Sequence, residues 1–199
     1  MKSLLGAPLI AISGLLLSSC GILGGGGKAS LYRLSANPAP TAQGGSGRTP
    51  IVVIRPVLPP GAATDRILTL DRNSASYVAK ARWIAPADAM IKDMLAQQIN
   101  GTSSGFRAVE GNGGRFILAT RCTDFAAYYD GGPKAPPHVR VSCEFELRTV
   151  GVSEATASTV LNAEAIVGED RVSSIVSAFD AATRQISSDL IAWLDARAR

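Results

Sequence analysis

Two long segments of alternating apolar and polar residues, separated by a turn, constrain the fold of this chain most. They span residues 115–129 and 138–150, and the turn between them reads Asp-Gly-Gly-Pro-Lys-Ala-Pro-Pro. Alternation with a period of two is typical of a strand with one buried face, and Gly and Pro favour turns. The sequence therefore predicts a long antiparallel hairpin.

The cysteines of this hairpin suggest its register. If Cys122 lies opposite Cys143, the turn is centred at residues 132 and 133, where the strand-breaking residues lie. One face of the hairpin is then mostly apolar and the other carries opposite charges, as expected of a half-buried sheet. The predicted pairs are Leu118–Leu147 and Thr120–Phe145 on the cysteine face, and Ala119–Glu146 and Arg121–Glu144 on the other face.

Shorter strands surround the long hairpin. A second hairpin is predicted from residues 66–72 and 77–83, with the turn signal Asn73-Ser74 between them. Its second strand places Tyr77, Ala79, Ala81 and Trp83 on one face, because alternate side chains share a face. The remaining candidate strands are residues 31–34, 51–54, 106–109 and 159–167.

Two segments have helical periodicity. The first begins near Pro86 and ends at Gly101, with Ala87, Met90, Ile91, Met94, Leu95 and Ile99 at helical spacing. The second has Asp170 as a predicted N-cap and an apolar stripe of Val172, Ile175, Val176, Phe179, Ala182, Ile186, Leu190 and Trp193. We therefore predict a single α+β domain: a mostly antiparallel sheet with a long hairpin, packed by a central helix and a C-terminal amphipathic helix.

The N-terminus has the features of a secretory signal. Lys2 precedes an apolar stretch over residues 4–17, and small residues follow it. Leu17-Ser18-Ser19-Cys20 resembles the bacterial lipobox, which implies cleavage before Cys20, a diacylglyceryl thioether on its sulfur and a fatty amide such as palmitate on its amino group. An ordinary secretory signal and a transmembrane anchor are the alternatives; the stretch is shorter than the ~20 residues that a bilayer requires.

These features divide the chain into three parts. We predict a lipoprotein signal peptide over residues 1–19, a lipidated flexible tether over 20–30 and a folded domain over 31–199. The tether sequence GGGGKAS is superficially similar to a phosphate-binding loop, but it lacks the spacing of that motif and the strand that should precede it. No nucleotide site is predicted there.

Charge and cysteine content narrow the functional classes. Twenty Lys and Arg against 16 Asp and Glu give a formal net charge of +4 without a basic cluster, which argues against a nucleic-acid partner. Export places the chain in an oxidising compartment. With Cys20 lipidated, Cys122 and Cys143 remain as an even pair, which we predict to form a disulfide; two buried free thiols are the alternative.

Candidate catalytic and metal-binding residues are sparse. His138, the single histidine, follows two prolines, and we expect an exposed loop residue there. No G-x-S-x-G elbow accompanies it. One histidine and two cysteines spaced for pairing do not suit a metal site. We therefore predict no catalytic residue, no metal and no cofactor other than the covalent lipid on Cys20.

The order of several short motifs resembles a known family. The motifs are the lipobox, Tyr32-Arg33-Leu34, the run from Ile51 to Val57, Tyr77, Trp83 with Pro86, the paired long strands and the C-terminal helix. Together they resemble the ABC-type transport auxiliary lipoproteins, a group that includes the third component of the paraquat-inducible Pqi system. The resemblance covers about residues 31–195. One departure is Trp83-Ile84-Ala85-Pro86, which lacks the acidic residue usual after the Trp, so no role is assigned to that acid.

The resemblance implies a non-enzymatic lipoprotein that serves an envelope lipid-transport system. The implied partners are an MCE-domain (MlaD-like) protein and the permease and ATPase of an ABC transporter. Gly21, directly after the lipidated cysteine, is similar to lipoproteins sent to the outer membrane, where the domain would face the periplasm. The expected contact surfaces are an exposed sheet edge and the aromatic residues Tyr77 and Trp83, for which core packing is the alternative.

Two other functions stay open at this point. A periplasmic lipid-binding carrier would hold an acyl chain in an apolar cavity lined by Met90, Met94 and Phe179, whereas a tether would have a filled core. An envelope structural protein would have no MCE partner at all.

Overall fold

The sheet is built around one long central strand. A computed structural model describes residues 28–35, 47–132 and 135–197, in which eight strands and two helices form one α+β domain. The strands are β1 (Ser30–Tyr32), β2 (Thr49–Val53), β3 (Arg66–Asp71), β4 (Ser74–Trp83), β5 (Phe106–Val109), β6 (Phe116–Tyr128), β7 (His138–Thr149) and β8 (Ala155–Ile166). The helices are α1 (Ala87–Gly101) and α2 (Val172–Asp195). The predicted signal peptide and most of the predicted tether lie outside the described residues, although β1 begins at the last tether residue, Ser30.

The long hairpin has the predicted register. Strands β6 and β7 pair antiparallel with Cys122 opposite Cys143, Leu118 opposite Leu147 and Arg121 opposite Glu144. The register shifts by one residue at Thr123, a bulge that the alternation did not reveal. Strand β8 then pairs antiparallel with β7 over its whole length, so β6, β7 and β8 form a meander.

The other edge of β6 is shared by two parallel strands. Strand β2 pairs with its start, over residues 116–118, and β3 pairs with its end, over residues 127 and 128. Strand β5 extends the sheet beyond β2, and β4 and β1 extend it beyond β3. The sheet is therefore mixed, with its longest pairings antiparallel and its short additional pairings parallel.

Both helices pack on the cysteine face of the sheet. The apolar residues that predicted α1 are all buried, as are Ile175, Phe179, Ala182, Ile186 and Leu190 of the stripe predicted for α2. The sulfurs of Cys122 and Cys143 are bonded, and both residues are buried under the helices. The Cys122 amide donates to the Val57 carbonyl on the opposite edge of β6, so the two cysteines occupy a non-hydrogen-bonded pair, the closer of the two antiparallel pair types.

Two local predictions are wrong. Asp170 does not cap α2, since Arg171 occupies the N-cap position and the Asp170 carboxylate accepts a hydrogen bond from the Tyr129 hydroxyl. In β4, Lys80 adopts a positive φ of 56°, and the pairing with β3 shifts register beside it. Ala79 is therefore exposed instead of sharing a buried face with Ala81 and Trp83, because a bulge interrupts the alternation of a strand.

Candidate docking surface

Strand β8 forms a free edge of the sheet. Among the described residues it pairs only with β7, which leaves its outer backbone N–H and C=O groups along 12 residues available to another strand. Most of its side chains are small or β-branched, Glu164 is its single charged residue, and Val160 and Ile166 are 59% and 82% exposed. Proteins usually protect a long edge with charge, Pro or a covering segment. An extended edge with a single charged residue suits the addition of a strand from a partner.

A groove runs beside the end of this edge. It encloses about 330 Å³ between β8 and the first turns of α2. Most of its lining side chains are small, so they leave the space between the helix and Ile166 unfilled. The lining residues are Ala165, Ile166, Gly168, Arg171, Ser173, Ser174, Ser177, Ala178 and Ala181. We name the edge of β8 together with this groove the β8 surface.

The sequence contained part of this signal. The alternation of residues 159–167 predicted a strand, and an exposed sheet edge was an expected contact surface. Which strand forms that edge depends on pairing between distant segments, so periodicity could not identify β8. The small residues of α2 that line the groove lie outside the apolar stripe and therefore gave no signal of their own.

A polar cluster lies on the face of the sheet away from the helices. The His138 ring stacks on Tyr128 with centroids 5.6 Å apart, and its nitrogens lie 3.3 Å from the Asp130 carboxylate and 3.6 Å from the Glu164 carboxylate. The Arg140 guanidinium lies 3.2 Å from the same ring. His138 is thus the first residue of β7 with a 17% exposed side chain, and the prediction of an exposed loop residue is wrong.

Two tyrosines of this region are difficult to ionise. Partial burial, followed by the hydrogen bond to the Asp124 carboxylate, raises the pKa of Tyr128 to about 12. Partial burial and the hydrogen bond to Asp170 likewise raise the pKa of Tyr129 to about 12. Both hydroxyls are protonated donors at neutral pH. The ionic and hydrogen-bonding partners of His138 are two carboxylates and a guanidinium, not a serine hydroxyl. Such a set of partners is typical of a network that stabilises the fold.

The two aromatic residues predicted to contact a partner have different environments. Trp83 is 1% exposed, and its ring contacts those of Phe179 and Phe125 with centroids 5.4 and 6.5 Å away. It belongs to the core, and a partner cannot reach it in this conformation. Tyr77 is half-buried under the Arg66 guanidinium, 3.9 Å from its ring centroid. A partner contact at Tyr77 stays a prediction.

The residues predicted to line a lipid cavity do not meet in one. Phe179 is fully buried against Trp83 and Phe125, with 4.9 Å between the two phenylalanine centroids. Met90 and Met94 instead line an open groove of about 210 Å³, and the space between α1, α2 and the sheet beside Met94 is a void of about 10 Å³. The region between these three residues is therefore filled by side chains.

Two further features bear on function. In the described ranges, no helix is both long and apolar enough to cross a membrane. Within the same ranges, His, Cys, Asp and Glu form no group of three or more that could hold a metal ion. Cys20, the predicted lipidation site, lies outside the described residues.

Solved structures share this fold at low sequence identity. Protein XCC0632 from Xanthomonas campestris aligns with a TM-score of 0.73 and 18% identity, covering 84% of this chain and 95% of that one. The hypothetical protein CT253 from Chlamydia trachomatis aligns with a TM-score of 0.53 and 5% identity, covering 76% and 98%. These similarities concern the fold alone.

Sequence comparison identifies the family. No functionally curated protein matches the chain significantly. The family model of the ABC-type transport auxiliary lipoprotein component matches residues 32–191. This range includes all of α1 and every described strand apart from the first two residues of β1. The resemblance inferred from the order of short motifs is thereby confirmed. The chain belongs to the ABC-type transport auxiliary lipoprotein component family.

Proposed function

We propose that this protein is a non-enzymatic periplasmic lipoprotein that docks an MCE-type lipid-transport assembly to the outer membrane. Three acyl chains on Cys20 would hold it in the membrane, since two already suffice for stable anchoring. The domain would bind the transporter through the β8 surface. A partner bound in this way stays at high effective concentration beside the membrane that receives or supplies the lipid.

The observation that carries this proposal is the unprotected edge of β8. Family membership associates the chain with an ABC-type transporter. A 12-residue edge is long enough to pair with a full strand of a partner, because strands in globular proteins are usually about 5–6 residues long. The groove beside Ile166 would receive alternate side chains of that strand, which would supply specificity. The filled space around Phe179 favours docking over the carrier function.

Photo-crosslinking in living cells tests the docking. The full-length lipoprotein, expressed in its own host, would carry a photoreactive amino acid at Val160 or at Ile166. We expect both positions to capture an MCE-domain protein or a transporter subunit, identified by mass spectrometry. The matched control is Arg107, an exposed residue of the other edge strand β5, which should capture neither.

Three outcomes would contradict the proposal. Equal capture from Arg107 and Val160 would show that the contact is not made by the β8 surface. Capture of phospholipid alone would favour the carrier function, and the absence of any transporter subunit would favour a structural role. The anchor is tested separately by Cys20→Ser, which should release the chain from the membrane fraction.

A further inference from the structure

An exposed apolar pair lies at the edge of the sheet opposite β8. Leu31 in β1 and Ile84, directly after β4, are each 62% exposed. In the parallel pairing of β1 with β4, Leu31 lies opposite Arg82, and Ile84 follows Arg82 by two residues. The Ile84 amide donates to the Tyr32 carbonyl over 2.7 Å, which holds the two segments together. We name Leu31 and Ile84 the β1 patch.

The backbone pairing explains why these side chains face solvent. Tyr32 and Trp83 occupy the same register position, and both pack against the core under the helices. Their neighbours along each strand must point away from that core, because successive side chains alternate between faces. Leu31 and Ile84 are therefore held outward by the burial of the residues beside them.

Basic residues surround the β1 patch. Lys28 and Arg33 flank β1, and Lys80 is exposed on the neighbouring strand. Arg82 is also exposed, although its guanidinium pairs with the Asp65 carboxylate at 2.8 Å. Two further acidic residues lie nearby: Asp93 lines the groove that Arg33 and Ile84 border, and the Asp180 carboxylate accepts a hydrogen bond from the Ser35 amide and pairs with Arg184. Exposed apolar side chains within a surplus of positive charge suit a surface that is apolar inside and anionic at its headgroups.

The position of the predicted lipid anchor identifies this surface. About eight residues separate Cys20 from Lys28, so the domain begins no farther than about 28 Å from the anchor at full extension. Leu31 lies only three residues after Lys28, so this short connection keeps the β1 patch close to the membrane.

We propose that the β1 patch rests on the bilayer that holds the Cys20 lipid, with Leu31 and Ile84 inserted between the headgroups. This inference rests on the lipidation invoked in the proposed function. It also gives the domain an orientation, since β8 lies five strand spacings, or about 24 Å, across the sheet from β1.

Environment-sensitive fluorescence tests this contact in the complete lipoprotein. Leu31→Cys and Ile84→Cys would be labelled separately with a nitrobenzoxadiazole probe, because Cys20 is acylated and the other two cysteines are bonded. The proteins would be incorporated into vesicles of phosphatidylethanolamine and phosphatidylglycerol. The matched control is Val160→Cys, an exposed apolar residue on the β8 surface.

We expect probes at positions 31 and 84 to show blue-shifted emission, several-fold weaker quenching by iodide than the probe at position 160, and strong quenching by lipids with a nitroxide near the headgroup. Two independent positions keep the test decisive if one variant misfolds. If the protein floats with the vesicles and all three probes are quenched equally by iodide, the anchor stands and the β1 patch does not touch the membrane. If the protein does not float, the lipid anchor and the membrane contact both fail.

Discussion

Trp83, predicted as a contact residue, serves the core instead. Its indole N–H is buried without a hydrogen-bond partner among the described residues, which costs about 1–3 kcal/mol. The ring contacts with Phe125 and Phe179 offset this cost, because aromatic pairs contribute beyond the area that they bury. The residue type alone predicted neither environment, since Trp is common both in cores and at interfaces.

We expect Trp83→Ala to lower the free energy of unfolding by about 3–5 kcal/mol, because it opens a large cavity. Trp83→Phe should cost distinctly less, since it keeps an aromatic ring and removes the unpaired N–H. Denaturant titration of the two variants measures the difference. Equal losses would mean that the ring contacts do not stabilise the core.

Tyr128 and Tyr129, at the end of β6, make the stability of the protein depend on pH in the alkaline range. The pKa values of Tyr128 and Tyr129 are raised from 10.0 to about 12, so the folded state holds these protons more tightly than the unfolded chain. Their contribution to stability is complete below about pH 10 and is lost as the pH rises from 10 to 12. The double variant Tyr128→Phe/Tyr129→Phe should therefore lose less stability than the parent over that range. Urea unfolding across the range checks this; parallel curves would contradict it.

At the scale of elements, the β6/β7 hairpin was predictable because several local signals agreed. Its turn residues, its alternation and its cysteine positions all required one register, and a slip of one residue would have moved every apolar side chain to the wrong face. Helix α1 was predictable for a similar reason, with Pro86 at its start and Gly101 as its last residue. The bulges beside Thr123 and Lys80 were not, since neither residue type favours one.

The disulfide should stabilise this hairpin. The two cysteines are 21 residues apart, and closing a loop of this size stabilises a fold by about 3 kcal/mol. We expect the double variant Cys122→Ala/Cys143→Ala to lower the free energy of unfolding by about 2–4 kcal/mol. Denaturant titration of protein matured in the periplasm measures the loss.

Intact mass after alkylation, with and without reductant, provides the control for that comparison. The parent should gain label at both positions only after reduction. Labelling of both cysteines without reductant would show that the bond does not form in the envelope, and the stability of the double variant would then reflect packing alone.

At the scale of the whole molecule, the fold depends on pairings that no local pattern contains. The sequence predicted a mostly antiparallel sheet, and its longest pairs are antiparallel, but β2 and β3 join β6 in parallel across long stretches of chain. Both β2 and β3 are short, and the sequence of a short apolar strand does not determine which strand it pairs with. The β8 surface and the β1 patch are edges of this assembled sheet, so their identity could follow only from the complete strand order.

The division of one edge of β6 between β2 and β3 has a consequence for how the chain folds. Both strands precede β6 in the sequence and cannot form these pairings until β6 is present. The meander of β6, β7 and β8, in contrast, pairs only segments that are neighbours in the sequence. Such non-local pairings form slowly, because the chain loses the entropy of closing the intervening loop before the new contacts stabilise it. An exported chain would thus emerge with its first half unable to complete a sheet, and a fragment ending before residue 116 would keep two strands without their common neighbour.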